Sequence, residues 1–485
     1  MRRFREVFSD LATAAGFALF MLSIVLVLVI VVAIPFGDKY SFFGFIVLFF
    51  LTIAGGLVFT FGVFLNKKSM TEDDLSPRYA VPVEEGRRRR WWRPRRPRLG
   101  KPNWLRGYAT LNFQDPRQRR RLIFFVGLGV IEVILMATGG FRLALYSETS
   151  EFCGQLCHTP MTPEFITYEQ SPHARVECAA CHVGPGATWL VKSKINGLPQ
   201  LAAVAFDTFP RPILSPVEHL RPARDTCEQC HWPQRFTGDM VRVNRHYDSD
   251  EENTEHVDTL LMKIGGGHPD AASGIHWHVG AEVWYLPLDR QRQEIGWVGV
   301  TGADGQLTEY IDPARADEID AGLIKSEKRL MDCIDCHNRA THIFYSPDEL
   351  IDRAMAQGVI DRELPFIKRE SMKALDPVNP SVDEANIKVE AIDEFYRTYY
   401  PVVYTEKGEA IAAAIEELKE IVKLTTFPDM DVSWETHPNN IGHTEWPGCL
   451  RCHGKLVPTT TTADSASERI GAECNLCHYQ LSGLQ

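Results

Sequence analysis

Three long stretches of this 485-residue chain are almost free of charge. Residues 12–35 and 41–65 contain no Asp, Glu, Lys or Arg, and residues 122–145 contain only Glu132 and Arg142. Each exceeds the roughly 20 apolar residues that a helix needs to cross a bilayer, so three membrane helices are predicted. The first is too long for a cleaved leader and lacks a small-residue cleavage site, which makes it a retained helix. Beyond them the pattern changes. From 151 to 239 proline and glycine interrupt every period, so little regular structure is expected there. Alternation over 282–286 and 294–300, closed by Gly302-Ala303-Asp304-Gly305, predicts strands. From Ser346 to Phe427 the period becomes helical: Ile411, Ile415, Leu418 and Val422 share a face, and Glu416/Lys419 and Glu420/Lys423 lie on the solvated side.

Charge orients the three helices. Residues 1–121 carry 21 Lys and Arg against 9 Asp and Glu, a balance of +12 that leaves −23 for the rest of a chain whose total is −11. Arg2, Arg3 and Arg5 precede the first stretch, and Arg87-Arg88-Arg89-Arg90 with Arg119-Arg120-Arg121 lie between the second and third. Cytoplasmic loops retain such residues, so both segments belong inside and everything after 146 belongs outside. Beside two membrane helices the basic loop is assigned to anionic lipid headgroups rather than to nucleic acid. The acidic exported part favours basic partners.

The cysteines add the chemistry. All twelve fall into six pairs, each followed at once by histidine. Five have the C-x-x-C-H spacing: Cys178/Cys181/His182, Cys227/Cys230/His231, Cys333/Cys336/His337, Cys449/Cys452/His453 and Cys474/Cys477/His478. The sixth, Cys153/Cys157/His158, has one extra spacer residue. In such a motif both thiols bond to the porphyrin and the histidine sits under the iron, so six covalently bound haem c groups and an electron carrier are predicted. A zinc ribbon at Cys449/Cys452 with Cys474/Cys477, or a disulfide framework, is the plainer alternative, but neither needs a histidine after every pair. Covalent haem attachment belongs on the oxidising side of a membrane, the side that the charges also assign.

Haem iron usually takes two axial ligands. Besides the six motif histidines there are ten others: His173, His219, His246, His256, His268, His276, His278, His342, His437 and His443. His173 and His342, each five residues from a motif, are favoured as second ligands, followed by His443 and His219. His276 and His278 point the same way if their stretch is extended, and one of them, His276 in the set adopted here, joins the ligands. Which histidine serves which iron stays open.

Phe152-Cys153-Gly154-Gln155-Leu156-Cys157-His158-Thr159-Pro160-Met161, Ser171-Pro172-His173-Ala174-Arg175-Val176 and Cys178-Ala179-Ala180-Cys181-His182-Val183-Gly184-Pro185-Gly186 resemble the start of the NapC/NirT family of membrane-anchored quinol dehydrogenases. Leu220-Arg221-Pro222-Ala223-Arg224 and Cys333-Ile334-Asp335-Cys336-His337-Asn338-Arg339 resemble its longer relatives, the inner-membrane multihaem cytochromes of metal-respiring bacteria. The resemblance implies a first haem at the membrane surface that takes electrons from menaquinol or ubiquinol and passes them to periplasmic partners. It also implies a methionine just after the first motif as iron ligand, and a lysine and an aspartate near the quinol. Met161 lies one residue further on than in the small relatives, so His158 and Met161 remain rivals. Lys194 matches the lysine best, with Lys192 as alternative; for the aspartate there are only Gln200 and Asp207. Independently, Cys153 follows the third helix by about eight residues, which keeps it near the headgroups. Glu132, a carboxylate inside a membrane helix, is a second catalytic candidate as part of a proton path, against a helix contact.

The expected fold is a membrane-anchored multihaem cytochrome c: three N-terminal transmembrane helices, then a mainly α-helical and irregular periplasmic haem domain with a small β segment. Its parts are two membrane helices (1–66), a basic cytoplasmic loop (67–121), the third helix (122–146), a NapC/NirT-like domain with haems 1–3 (147–240), a β-containing segment with haem 4 (241–345), a helical block without haem (346–430) and a C-terminal segment with haems 5 and 6 (431–485). The expected function is quinol oxidation at the bacterial inner membrane, with the quinol pool, periplasmic cytochromes or other redox proteins and the bilayer as partners, in a homo-oligomer or a larger respiratory complex. The alternatives are the same path run inward to quinone, a terminal reductase of nitrite or a similar anion, and a haem subunit docked through the cysteine-free block. No lysine replaces a motif histidine, which counts against the reductase.

Overall fold

The computed structural model describes residues 116–482 except 157, 185, 218–220, 267–273, 303–304, 376–378 and 460–468. The two predicted membrane helices within 1–66, nearly all of the basic loop, Cys157, His219 and His268 lie outside the described residues, as do the side chains of Glu132 and His158. The chain divides into two compact units, 1–147 and 148–485.

In the first unit the third hydrophobic stretch lies within one 31-residue helix, α1 (Pro116–Tyr146). Judged on the described residues alone, no helix is long and apolar enough to cross a membrane. Along α1 those residues include exposed Ile123, Val130, Ile131, Ile134, Phe141 and Leu145.

The second unit begins with more regular structure than its sequence pattern predicts. α2 (His158–Glu169) and the 19-residue α3 (Ala187–Ala205) occupy the stretch expected to be irregular, and each contains a proline, Pro163 and Pro199. That expectation is corrected: both prolines are accommodated inside helices whose other residues keep the helical course.

Two sheets follow. β1 (Met240–Tyr247) and β2 (Glu255–Met262) form an antiparallel hairpin. β3 (Glu282–Pro287), β4 (Ile295–Thr301), β5 (Leu307–Ile311) and the two-residue β6 (Arg329–Leu330) form most of a second sheet. Its core is Val283, Tyr285, Ile295, Val298 and Leu456. On the central strand the ring of Trp297 lies over Gly299, so closely that a side chain there would collide with it. The predicted strands 282–286 and 294–300 correspond to β3 and β4, whereas the β1/β2 hairpin was not foreseen.

Among its described residues the cysteine-free block has five α-helices: α4 (Pro347–Ala356), α5 (Ile367–Leu375), α6 (Val382–Tyr399), α7 (Pro401–Glu406) and α8 (Gly408–Thr425). Local chemistry sets their starts. Ser346 and Ser381 accept from backbone N–H groups of the first turns of α4 and α6, and Pro347 opens α4, satisfying donors that a helix start leaves unpaired. Ile411, Ile415, Leu418 and Val422 are buried together as predicted, and Lys419 and Lys423 pair with Glu416 and Glu420 at the surface.

The C-terminal segment returns to both sheets. After a small hairpin, β7 (Thr426–Phe427) with β8 (Val432–Ser433), β9 (Val457–Pro458) pairs with β5 and β10 (His478–Ser482) pairs with β2. The sheet orders are β1-β2-β10 and β6-β3-β4-β5-β9.

Candidate functional site

Most of the C-x-x-C-H motifs take their shape from one turn of helix. Residues 178–182, 333–336 and 474–477 are single turns, and the N–H groups of His231, His337 and His453 donate to the carbonyls of Cys227, Cys333 and Cys449. Positions i and i+3 share a helix side, so both thiols of a helical motif face one space with the histidine beside them.

The third motif keeps the His231 bond to the Cys227 carbonyl but places its helical turn earlier. Its helical turn, Ala223–Cys227, ends at the first cysteine, and Cys230 follows in a turn closed by its own N–H on the Cys227 carbonyl at 3.1 Å. Cys230 is exposed and Cys227 half-buried, the same pattern as Cys181 and Cys178 in the helical second motif. Burial raises the Cys181 pKa, and the nearby Cys227, Cys178 and Cys230 thiols add to it.

Five described motif histidines each face a histidine from elsewhere in the chain. The ring centres are 6.1 Å apart for His231 and His173, 6.3 Å for His182 and His342, 6.3 Å for His337 and His276, 5.8 Å for His453 and His278, and 6.4 Å for His478 and His443. A metal–imidazole bond of about 2 Å on each side of one ion sets two ring centres about 6 Å apart. The donor sets therefore fit one haem iron between each pair.

Five of these ten rings are held at Nδ1. Nδ1 of His173, His342, His276, His278 and His453 lies at 2.5–3.2 Å from the carbonyl oxygens of Ala340, Glu164, Ile264, Ile275 and Gly471, respectively. A ring that donates through Nδ1 presents Nε2 as the free lone pair. Burial pushes the His182, His278 and His337 pKa values down and that of His342 down to about 4, keeping these imidazoles neutral as ligation requires.

Residues 115–212 match the model for the NapC/NirT cytochrome c family, N-terminal region, and the cytochrome c-type protein ImcH of Geobacter sulfurreducens is 44% identical over 396 residues, 80% of this chain and 76% of that protein. The chain belongs to the NapC/NirT-like multihaem cytochromes c. No solved structure matches it. It is thus an inner-membrane-type, haem-binding cytochrome of electron transport.

In this cytochrome consecutive motifs are neighbours. The thiols stand for the thioether sulfurs of attached haem, so only their proximity matters. Cys153 hydrogen-bonds Cys178, and Cys227 hydrogen-bonds Cys333. Cys181 feels Cys227 and Cys230, Cys336 feels Cys449, and Cys477 feels Cys449. The six motifs therefore form a file in chain order. Backbone and buried polar contacts lock the file. Asp332 accepts from the N–H of Ala223, joining the third and fourth motifs. The Arg451 guanidinium donates to the carbonyls of Asp335 and Arg292, joining the fourth and fifth. Asp335 is buried and receives the Tyr285 hydroxyl at 2.6 Å and Arg292 at 2.9 Å.

Of the ligands chosen from sequence, His173, His276, His342 and His443 each face a motif histidine. The idea that His276 and His278 point the same way is corrected: they stand on a helical turn, Trp277–Gly280 with His276 as its cap, and face different motifs. His278 was therefore missed as a partner in its own right, and its signal was the two-residue spacing. His246 and His256 face each other across β1 and β2 at 5.0 Å, away from any motif histidine. His437 is buried against Phe344, 5.4 Å between ring centres.

Lys194, on α3, donates to Glu148 at 2.5 Å. Glu148 lies two residues after the end of α1 and five before Cys153. For the family's aspartate the resemblance offers only Gln200 and Asp207. Gln200 is exposed, and Asp207 is paired with Arg211 at 2.6 Å. Met161 is half-buried on α2.

Proposed function

We propose that this protein is a quinol dehydrogenase of the inner membrane, oxidising membrane quinol near Cys153 and passing electrons along the six motifs to periplasmic redox partners. The observation that carries the proposal is the file of motifs, which starts at the residues following α1 and keeps chain order to Cys477. Each haem c, when bound, supplies an iron that accepts and returns one electron. The cysteine pairs, Cys227 with Cys230 among them, would hold the six groups, and His158, His182, His231, His337, His453 and His478, together with His173, His276, His342 and His443, would ligate their irons. At the first motif His158 and Met161 are the rival ligands.

Two electrons leave quinol together with two protons, so the entry site needs a proton acceptor as well as a route for charge. The Lys194 ammonium is placed to hydrogen-bond a quinol oxygen and to stabilise negative charge as the proton leaves. Its partner Glu148 is the carboxylate that takes the proton, in place of the aspartate expected from the family. Glu132 is proposed as a second carboxylate on that path. The surface of α3 supports a lipid-side approach. Val191, Ile195 and Leu198 recur at three- and four-residue spacing and are 58%, 61% and 63% exposed, while Lys192 and Arg221 lie over the Trp189 ring. Apolar stripes bordered by Trp, Lys and Arg suit a membrane interface. The basic segment before α1 would then lie in the cytoplasm and 148–485 in the periplasm.

Anaerobic mixing of the oxidised, haem-loaded protein with a reduced menaquinol analogue tests the proposal. Haem reduction is expected to be rapid in the native protein and slowed at least tenfold in both Lys194→Ala and Glu148→Gln. If quinone instead oxidises the pre-reduced protein while quinol leaves it oxidised, electrons run inward and the direction proposed here is wrong. Absence of exchange in both directions would remove the quinone site altogether.

A further inference from the structure

We infer that His276-Trp277-His278 is a two-iron clamp, supplying the second axial ligand to the haems of both the fourth and the fifth motif and fixing those two centres as one rigid unit. The inference deepens the proposed electron path and rests on haem loading, not on quinol chemistry.

Geometry assigns two irons rather than one. On a helical turn, residues two apart diverge by about 200°, so the two rings cannot converge on a common ion. Instead His276 lies 6.3 Å from His337 with ring planes 3° apart, and His278 lies 5.8 Å from His453 with planes at 74°. Rotation about a ligand–metal–ligand axis leaves the ring separation unchanged, so the spacing and not the tilt identifies each pair.

The turn is anchored from several sides. The His276 N–H donates to Gly265 and its Nδ1 faces Ile264, while Nδ1 of His278 faces Ile275. Arg224, three residues before Cys227, donates to Val279 at 2.8 Å. Trp277 packs on the core of the five-stranded sheet, which Cys452 also touches. The opposite side is equally constrained, because Arg451, between Cys449 and Cys452, is bonded to the carbonyl of Asp335, between Cys333 and Cys336. The fourth and fifth motifs are thus bonded to one another, and the two histidines that face them share one turn. Neither centre can move or change ligand without loading the other through a backbone two residues long.

The test uses the full-length, haem-loaded protein with His276→Gly, His278→Gly and the double substitution. Covalent haem content is measured by mass, and ferric spin states by electron paramagnetic resonance. Each single variant is expected to retain its haems, because the cysteines hold them, and to show one more high-spin haem than the native protein. The double variant is expected to show two more, and added imidazole to restore the low-spin state in each. A His278→Gly variant with native spin states overturns the inference, as does a double variant with only one additional high-spin haem. Should the glycine variants fail to assemble, His278→Met keeps a ligand. It is expected to raise one haem potential, since methionine ligation favours the ferrous state, and to displace a second by coupling. An unchanged redox titration in that variant would equally overturn the clamp. Quinol takes no part in these readouts, so they stand apart from any failure of the dehydrogenase proposal.

Discussion

Buried polar residues carry much of the specificity of this cytochrome. Asp335 occupies a spacer position inside a haem motif, yet it is buried and bonded to Tyr285 and Arg292. Removing one member of a buried ion pair strands the other charge, at about 3–5 kcal/mol. Asp335→Ala is therefore expected to lower the unfolding midpoint strongly and to loosen the fourth and fifth centres together; calorimetry and spectra of the variant check this. His437 makes a prediction about pH. Burial, and then the Arg339 charge, push its pKa down from 6.5 to about 3. A histidine with a depressed folded pKa binds its proton more readily in the unfolded chain, so stability falls as pH drops from about 6.5 toward 3 by at most about 1.4 kcal/mol per unit. His437→Phe, packed on Phe344, is expected to flatten that part of the pH profile of the thermal midpoint relative to the native protein.

At the scale of elements, the helical block is the most conventional piece. Its core runs through Ile351, Leu364, Val389, Tyr396 and Leu418, and it buries Lys368 against Asp352 at 2.6 Å and Asp348 at 2.7 Å. Lys368→Ala is expected to cost about 3–5 kcal/mol, whereas Lys368→Met with Asp352→Leu is expected to be nearly neutral, because an apolar pair of similar volume avoids the desolvation of two charges. Chemical unfolding of the two variants separates these outcomes. This block was legible in sequence because its apolar positions repeat with the helix period and serine caps mark two of its starts. The helices α2 and α3 were not. Their prolines and the adjacent motifs mask the period, and much of the surface of α3 is apolar and exposed, the reverse of a water-facing helix.

For the whole molecule, the C-terminal segment is structural as well as redox-active. It supplies β9 and β10, the edge strands that follow β5 and β2. A chain ending at 430 would leave both strands as open edges, which template association. It is expected to aggregate, as size-exclusion chromatography would report, while the chain including 431–485 remains monodisperse. The division of 241–345 from 431–485 that sequence suggested is thus not a division of the folded protein, since each sheet draws strands from both.

What the sequence determined by itself was the chemistry that is local in the chain. A C-x-x-C-H motif needs only a single tight turn of backbone, so five of six motifs, their histidines and the predicted haem class could be read from spacing alone. The sixth, Cys153/Cys157/His158, carries one spacer residue more, so spacing alone does not assign it. Only the tertiary structure decided which distant histidine faces which motif, because His173 and His231, or His342 and His182, meet through packing of segments far apart in sequence. Glu148 beside Lys194 belongs to the same class: it precedes the lysine by 46 residues, and no periodicity in the chain records a contact made by folding a helix back onto the start of its own domain.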